Sequence, residues 1–215
     1  MDIELHLPTI AAVVRDEHAQ ASRDIATLGP VAAYERTCYR HDERLAAAPD
    51  RSTLACKAGC SWCCYFSVDV RAAEVFAILA FMQRELSAAA QQRIRGEIET
   101  NRSLLAGCSD EERSRRNIKC PFLDDGRCVI YTARPQSCRN YHATNATGCR
   151  RSFENPDDLD IDPEFAPLVY QSGGALSAAL ADPDARRRFE SKQKPFAGME
   201  GTHVELEFVE FAVLT

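Results

Sequence analysis

The first third of the chain carries apolar residues at helical spacing. Ile10, Val13, Val14, Ala21, Ile25 and Leu28 fall on one face of a 3.6-residue repeat, and Gly29-Pro30 stops the run. A second stripe, Val31, Tyr34, Cys38 and Leu45, predicts another helix that ends in the loop Ala48-Pro49-Asp50. Val75, Ile78, Leu79, Met82 and Leu86 predict a third helix within residues 71–86. Ser87 reads as the N-cap of a fourth, which runs to about Leu105 and closes at Gly107. The charged stretch Asp110–Lys119 predicts a short exposed turn of helix or a loop.

Beyond Cys120 the pattern shortens. Phe122-Leu123 and Val129-Ile130-Tyr131 predict two short strands around an Asp125-Gly126 turn. Arg134-Pro135 opens a short helix that carries Cys138, with Pro135 near its first position. After an acidic loop, Asn155–Asp162, the tripeptide Asp162-Pro163-Glu164 predicts a helix start. Phe165, Leu168, Val169, Leu176 and Leu180 continue it, with Gly173-Gly174 as an interruption. Asp182-Pro183 predicts a further short helix, and Val204–Leu214 fits either strand or helix. The chain shows no internal repeat.

Composition narrows the function. The chain has 215 residues and a formal charge of -6, from 26 Lys plus Arg against 32 Asp plus Glu. That balance disfavours general binding to nucleic acid or anionic membranes, which attract positive patches. Leu7–Val14 lacks the preceding basic residues of an export signal, and Val75–Gln83 is far shorter than the roughly 20 residues of a bilayer span. A cytoplasmic protein is the expectation. In a reducing compartment, ten cysteines point to metal or redox chemistry before disulfides.

Four of those cysteines sit in Cys56-Lys-Ala-Gly-Cys60-Ser-Trp-Cys63-Cys64. Gaps of two or three residues let the chain curl so that successive thiolates point at one ion, and Gly59 permits the tight turn. Cys120, Cys128, Cys138 and Cys149 lie farther apart, in loops and at a helix start. Lys57, Lys119, Arg127, Arg134 and Arg139 flank these positions and offer positive charge to thiolate ligands. Trp62, Tyr65 and Phe66 are candidates to shield the site. Cys38 and Cys108 read as packing residues. The adjacent side chains of Cys63 and Cys64 diverge, so the two need not serve the same ion. The fold class expected is mainly α with a small irregular α+β cysteine-rich metal-binding lobe. A single domain over 1–215 would contain the cysteine-cluster region 54–150, flanked by helical segments.

The run 56–64, Cys120-Pro-Phe-Leu123, Gly126-Arg-Cys-Val-Ile-Tyr131 and Arg134-Pro-Gln-Ser-Cys-Arg-Asn-Tyr141 together resemble the YkgJ-type cysteine-cluster proteins, a zinc- or iron-chelating domain family with eight recurring cysteines. The resemblance covers about residues 54–150. It implies metal ligation by Cys56, Cys60, Cys63, Cys64, Cys120, Cys128, Cys138 and Cys149, with zinc or iron (including a 4Fe-4S cluster) as cofactor. His142 stands where the family pattern leads one to expect Asn, and is either an extra ligand or a loop residue. Related cysteine clusters occur in flagellin lysine N-methylases.

Two function classes compete. One is a metal-binding protein whose centre is at least structural, with zinc closed and redox-silent or an iron–sulfur cluster redox-active. The other is an enzyme of the radical S-adenosylmethionine type, because Cys56-x3-Cys60-x2-Cys63 matches that motif literally. Such an enzyme needs a strand before the motif and repeated β/α units after it, and the helical pattern here runs against both. Asp158, Asp160 and Asp162 imitate a calcium loop, but Pro163 and Val169 stand where Gly and Glu are required. Arg113–Arg116 and Arg186–Arg188 read as solvated helix faces without the aromatics that stack on bases.

Overall fold

Gly29-Pro30 reverses the chain between two long helices, α1 (Leu7–Leu28) and α2 (Pro30–Ala47). Gly29 has φ 82°, a left-handed conformation open to glycine, and Pro30 starts α2 where its missing N–H costs nothing. The structure is a computed structural model and describes residues 7–68, 70–166 and 168–169. The expected elements around Gly173, Leu176, Leu180, Asp182 and Val204–Leu214 lie outside the described residues.

The α1–α2 contact differs from the apolar stripe read in the sequence. Leu28 is exposed, whereas Glu17 is fully buried and Asp24 nearly so. Glu17 accepts hydrogen bonds from Thr37 (3.1 Å) and Arg40 (2.7 Å) and pairs with Arg44 at 2.9 Å. Arg40 also reaches Asp24 at 2.8 Å. Burial raises the pKa of the Glu17 carboxyl, but the Arg40 and Arg44 guanidinium groups outweigh it and hold the group below its ordinary value. Helical periodicity marks one face, and here that face includes charged residues because the partner helix supplies their counter-charges.

Helix α3 (Ala72–Glu85) packs on α2 through Tyr34, Cys38 and Ala77. Ser87 then caps α4 (Ala88–Leu105) as expected, its hydroxyl accepting from Ala90 N–H at 3.2 Å. A capping box between Ser109 and Glu112 starts the short α5 (Asp110–Ser114). Strands β1 (Leu123–Asp124) and β2 (Arg127–Cys128) pair antiparallel, with Leu123 opposite Cys128. Asp125 (φ 46°) and Gly126 (φ 71°) form a two-residue turn whose twist suits such a hairpin. Val129–Tyr131 are not strand residues: the ladder ends at Cys128, and Tyr131–Ala133 coil into a 3₁₀ turn. Pro135 directly precedes α6 (Gln136–Asn140), and Asn145 caps α7 (Ala146–Glu154) by accepting from Gly148 N–H at 3.0 Å.

Mainly helical architecture with one small two-stranded sheet is therefore what the described residues form. The main core joins the helices to the cysteine-rich region: Ile78 and Met82 of α3 and Ile94 of α4 meet Phe122 and Ile130, with Cys120 and Cys128 packed against them. One expected helix start is absent. Residues 162–165 run without helical hydrogen bonds, because Thr144 and Asn145 N–H donate to the carbonyls of Glu164 (2.9 Å) and Pro163 (3.1 Å), and Ala143 bridges Phe165. The Asp50 carboxylate accepts the N–H groups of Leu168 (2.8 Å) and Val169 (3.2 Å), and among the described residues helical structure is found at 168–169 rather than from Asp162. No described helix is long and apolar enough to cross a membrane.

Candidate metal centre

Two tight turns shape the first cysteine segment. Gly59 has φ 84°, and Cys60 N–H donates to Lys57 O at 3.0 Å, closing the chain between Cys56 and Cys60. A 3₁₀ turn, Trp62–Tyr65, then carries Cys63 and Cys64, with Cys64 N–H donating to Ser61 O at 3.0 Å. The distant cysteines arrive on separate elements. Cys120 precedes the hairpin and its N–H donates to Cys64 O at 2.8 Å. Cys128 ends β2, Cys138 sits in α6, and Cys149 is buried in α7. On the opposite side, Ala143 O accepts from Ala55 N–H (2.9 Å) and from the Cys56 thiol (3.7 Å).

The thiols are near enough to perturb one another. Burial and the neighbouring charges of Cys138, Cys128 and Cys63 push Cys120 up to about 12, against an N–H···S bond from Phe122 that favours the thiolate. Cys138 is pushed up to about 12 by burial, Cys63 and Cys128. Cys149 is pushed up to about 11 by burial, Cys56, Cys63 and Cys60. Cys63 rises furthest, first through its hydrogen bond with Cys64 and then through burial. Cys56 and Cys128 also rise, burial being the main cause in each, and Cys63 is a neighbour of both. All ten cysteines are free thiols.

One cation faces this cluster. Arg134 favours the thiolate at Cys56, Cys63, Cys128 and Cys138. Its Nε is buried without a hydrogen-bond partner, and its guanidinium lies 3.9 Å from the Tyr131 ring centroid. The other expected cations are used differently. Lys57 and Arg127 are exposed, and Lys119 pairs with Glu97 at 3.4 Å. Arg139 is fully buried, pairing with Asp42 at 2.6 Å and donating to the carbonyls of Arg134 and Thr132, although it still lowers the Cys128 thiol.

Aromatic rings close the flank. Phe153 of α7 stands 5.2 Å from Trp62 and 4.9 Å from Tyr65 between ring centroids, and Phe66 meets Tyr141 at 6.0 Å. Tyr141, part of a quoted motif but given no role from the sequence, lies near Cys149, Cys63 and Cys56, and burial foremost keeps its hydroxyl protonated. Also missed was Glu74, buried beneath the site. It accepts from Gln136 N–H (2.8 Å), Tyr34 Oη (3.2 Å) and Arg71 N–H (2.6 Å), tying α2, α3 and α6 together. A lone acid in an apolar helical stripe was its only sequence signal.

His142 falls to the side. Burial lowers it to about 4, and its electrostatic neighbours are Arg134, Arg51 and Asp42, not cysteines. Cys38 is a core residue, accepting from Gln136 Nε2 at 3.7 Å, and Cys108 sits half-buried past the end of α4. Asp158 and Asp162 accept from Asp160 and Glu164 N–H, making local turns rather than a calcium loop. The radical-enzyme reading gains no support: among the described residues the motif follows a 3₁₀ turn and leads into α3, and the only sheet has two strands.

Among the described residues no three Cys, His, Asp or Glu side chains already meet at one ligating centre. The donor set nevertheless fits a soft or borderline cation. Half-buried and buried thiols draw together from five chain elements, the Arg134 Nε beside them is buried without a hydrogen-bond partner, and a change of χ1 rotamer moves a sulfur by roughly 3 Å. No curated protein and no solved structure matches the chain. Residues 55–160 match the model of a family named CxxCxxCC and described as "Putative zinc- or iron-chelating domain". That segment, about half of the chain, is a cysteine-cluster domain of this family.

Proposed function

We propose that the domain chelates zinc or iron through the thiolates of Cys56, Cys60, Cys63 and Cys64 together with those of Cys120, Cys128, Cys138 and Cys149, and that the centre is structural at least. The observation that carries this reading is the gathering of thiols around Cys63 from segments far apart in sequence. Left as thiols, Cys63 and its cysteine neighbours crowd one another in a partly buried place, and each is harder to ionise for it. A divalent cation lowers thiol pKa values enough to deprotonate ligands outright, turning mutual repulsion into ligation. The N–H···S bonds from Phe122 to Cys120 and from Ile130 to Cys128 favour the same ionised form.

Zinc would supply a closed, redox-silent crosslink among elements with little regular secondary structure. Iron, including a 4Fe-4S cluster, would add a redox couple tuned by burial and by these N–H···S bonds. Free thiols in this number suit a reducing, cytoplasmic setting. Anaerobic purification followed by elemental analysis and visible spectroscopy tests the reading. Stoichiometric zinc without colour, or iron with sulfide and visible absorption, is expected. Protein free of both metals that takes up neither on reconstitution would refute it.

A further inference from the structure

The α1–α2 hairpin precedes the cysteine-cluster segment 55–160 and sits on it through one face of α2. Among the described residues, the main core of Ile78, Met82, Ile94, Phe122 and Ile130 takes nothing from either helix. The hairpin has a smaller seat, in which Tyr34 and Cys38 pack against Ala77 of α3. The rest of that contact is polar. Tyr34 Oη donates to Glu74 at 3.2 Å, Gln136 Nε2 donates to Cys38 Sγ at 3.7 Å, and Arg139 pairs with Asp42 at 2.6 Å. Farther along α2, Leu45 packs on Ala166 and Val169. A contact with so little apolar area belongs to the low-stability end of a structure.

Two of the polar ties end on α6, which is five residues long. A helix that short does not hold itself together. Pro135 gives it no side-chain cap, and its Gln136 N–H is met from outside by Glu74 at 2.8 Å. Gln136 and Arg139 are fully buried, and their three-residue spacing puts them on one face, toward α2. Cys138 lies between them in sequence and so projects from a different face. The position of α6 is therefore set from one side by α2 and α3, and from the other by whatever holds the Cys138 sulfur.

Resting on the chelating reading above, we propose that docking of the α1–α2 hairpin is coupled to metal binding through α6. Ligation at Cys138 holds α6 where it receives α2, and docked α2 holds Cys138 where it receives the metal. Loss of the metal frees α6, and the hairpin then leaves as a unit. Its helices stay paired because Glu17 and Asp24 of α1 are held by Arg40 and Arg44 of α2, not by the cysteine-rich segment. The coupling is reciprocal, since a free energy that links two binding events acts equally on each. The hairpin is thus a metal-dependent arm, and its release bares the face of α2 that carries Tyr34, Cys38 and Leu45.

Cys38 is the natural probe, because it is buried under α2 and is not one of the eight proposed ligands. Its alkylation is followed by peptide mass spectrometry on the anaerobic full chain, zinc-loaded and zinc-free, together with amide hydrogen exchange across α1 and α2. Removal of zinc is expected to speed alkylation of Cys38 by about 5-fold or more, while the amides of both helices stay protected. Asp42→Ala, at a half-exposed position, should speed Cys38 alkylation in the loaded protein and lower zinc affinity, each by about 5-fold or more. Glu43→Ala, at an exposed position of α2, should change neither. Cys38 that stays slow after proven zinc loss, or Asp42→Ala with wild-type zinc affinity, would overturn the coupling and leave chelation intact. Loss of amide protection in α2 along with the Cys38 reaction would show melting in place of release, and would overturn it too. Protein that takes up neither zinc nor iron would refute the chelating reading itself.

Discussion

The backbone N–H of Cys120 donates to the carbonyl of Cys64 at 2.8 Å. This bond fastens the start of the hairpin to the end of the first cysteine run, and both flanks of the contact carry thiols. Packing supports it from beneath, since Cys120 and Cys128 rest on the core of Ile78, Met82, Ile94, Phe122 and Ile130. The helices therefore form the floor on which the thiols gather.

Removing the metal should loosen the cysteine-rich region before the α1–α2 hairpin. A four-thiolate zinc site supplies roughly 10–16 kcal/mol of apparent binding energy in small domains, comparable with the whole stability of a typical domain, about 5–15 kcal/mol. Treatment with a strong chelator, or Cys60→Ser, should expose residues 55–160 to protease while helical circular dichroism falls only in part. Unchanged protease resistance after proven metal loss would show that the centre is not structural.

Arg134→Gln removes the cation that favours thiolate at Cys56, Cys63, Cys128 and Cys138. Those thiols then ionise less readily at neutral pH, and metal affinity should fall about 10- to 100-fold, the usual effect of losing a group that supports the ligands. Competition against a chromophoric chelator measures it. Lys57→Gln, at an exposed position, should change affinity far less.

Glu74→Ala should cost about 3–5 kcal/mol, because it strips a buried carboxylate from three donors and leaves Gln136 N–H without a partner. Urea denaturation of the full chain reads this directly. Since Gln136 lies two residues before Cys138 in α6, the variant should also bind metal more weakly.

Gly148 is placed where a side chain would collide. A Cβ there would stand 2.9 Å from Asp162 O and 3.0 Å from Pro163 Cα, both backbone atoms of the strap formed by residues 162–165. Gly148→Ala should cost about 1–3 kcal/mol by overpacking and displace Cys149 next to it. Thermal denaturation should show the loss, and a variant as stable as the wild type would mean that the strap gives way freely.

His41 gives a pH test. The ring is fully buried, and burial foremost lowers its pKa to about 4 from an ordinary 6.5. The unfolded chain binds the extra proton first, so the contribution to stability is whole above pH 6.5 and is lost as pH falls toward 4. Between pH 7 and 5 the wild type should lose about 2 kcal/mol more than His41→Asn. Glu17 acts lower on the scale: its stabilising charge is kept above the ordinary carboxylate range and lost as pH drops through its depressed value. Parallel pH profiles for wild type and His41→Asn would contradict this account of the ring.

Much of this was readable in the chain because it depends on local rules. Ser87, Gly29-Pro30 and Asp125-Gly126 mark element ends through backbone chemistry that acts within a few residues. The cysteine spacings were legible for the same reason. What depends on partners distant in sequence was not. Nothing local marks Glu17 and Asp24 for burial; Arg40 and Arg44 of the partner helix supply their counter-charges. Arg134 could not be told from Lys119 or Arg139, since only tertiary packing decides which cation faces sulfur. The stretch 162–165 carries a helix-start pattern, yet hydrogen bonds from Thr144 and Asn145 hold it otherwise.

The count of protected thiols in anaerobically purified full-length protein, made together with its zinc and iron content, tests the central claim most directly. Chelation predicts stoichiometric metal, slow alkylation of the cysteines in residues 56–64 and 120–149, and rapid alkylation of that set once a chelator has removed the metal. Metal-free protein whose thiols alkylate at the same rate with and without chelator would contradict it.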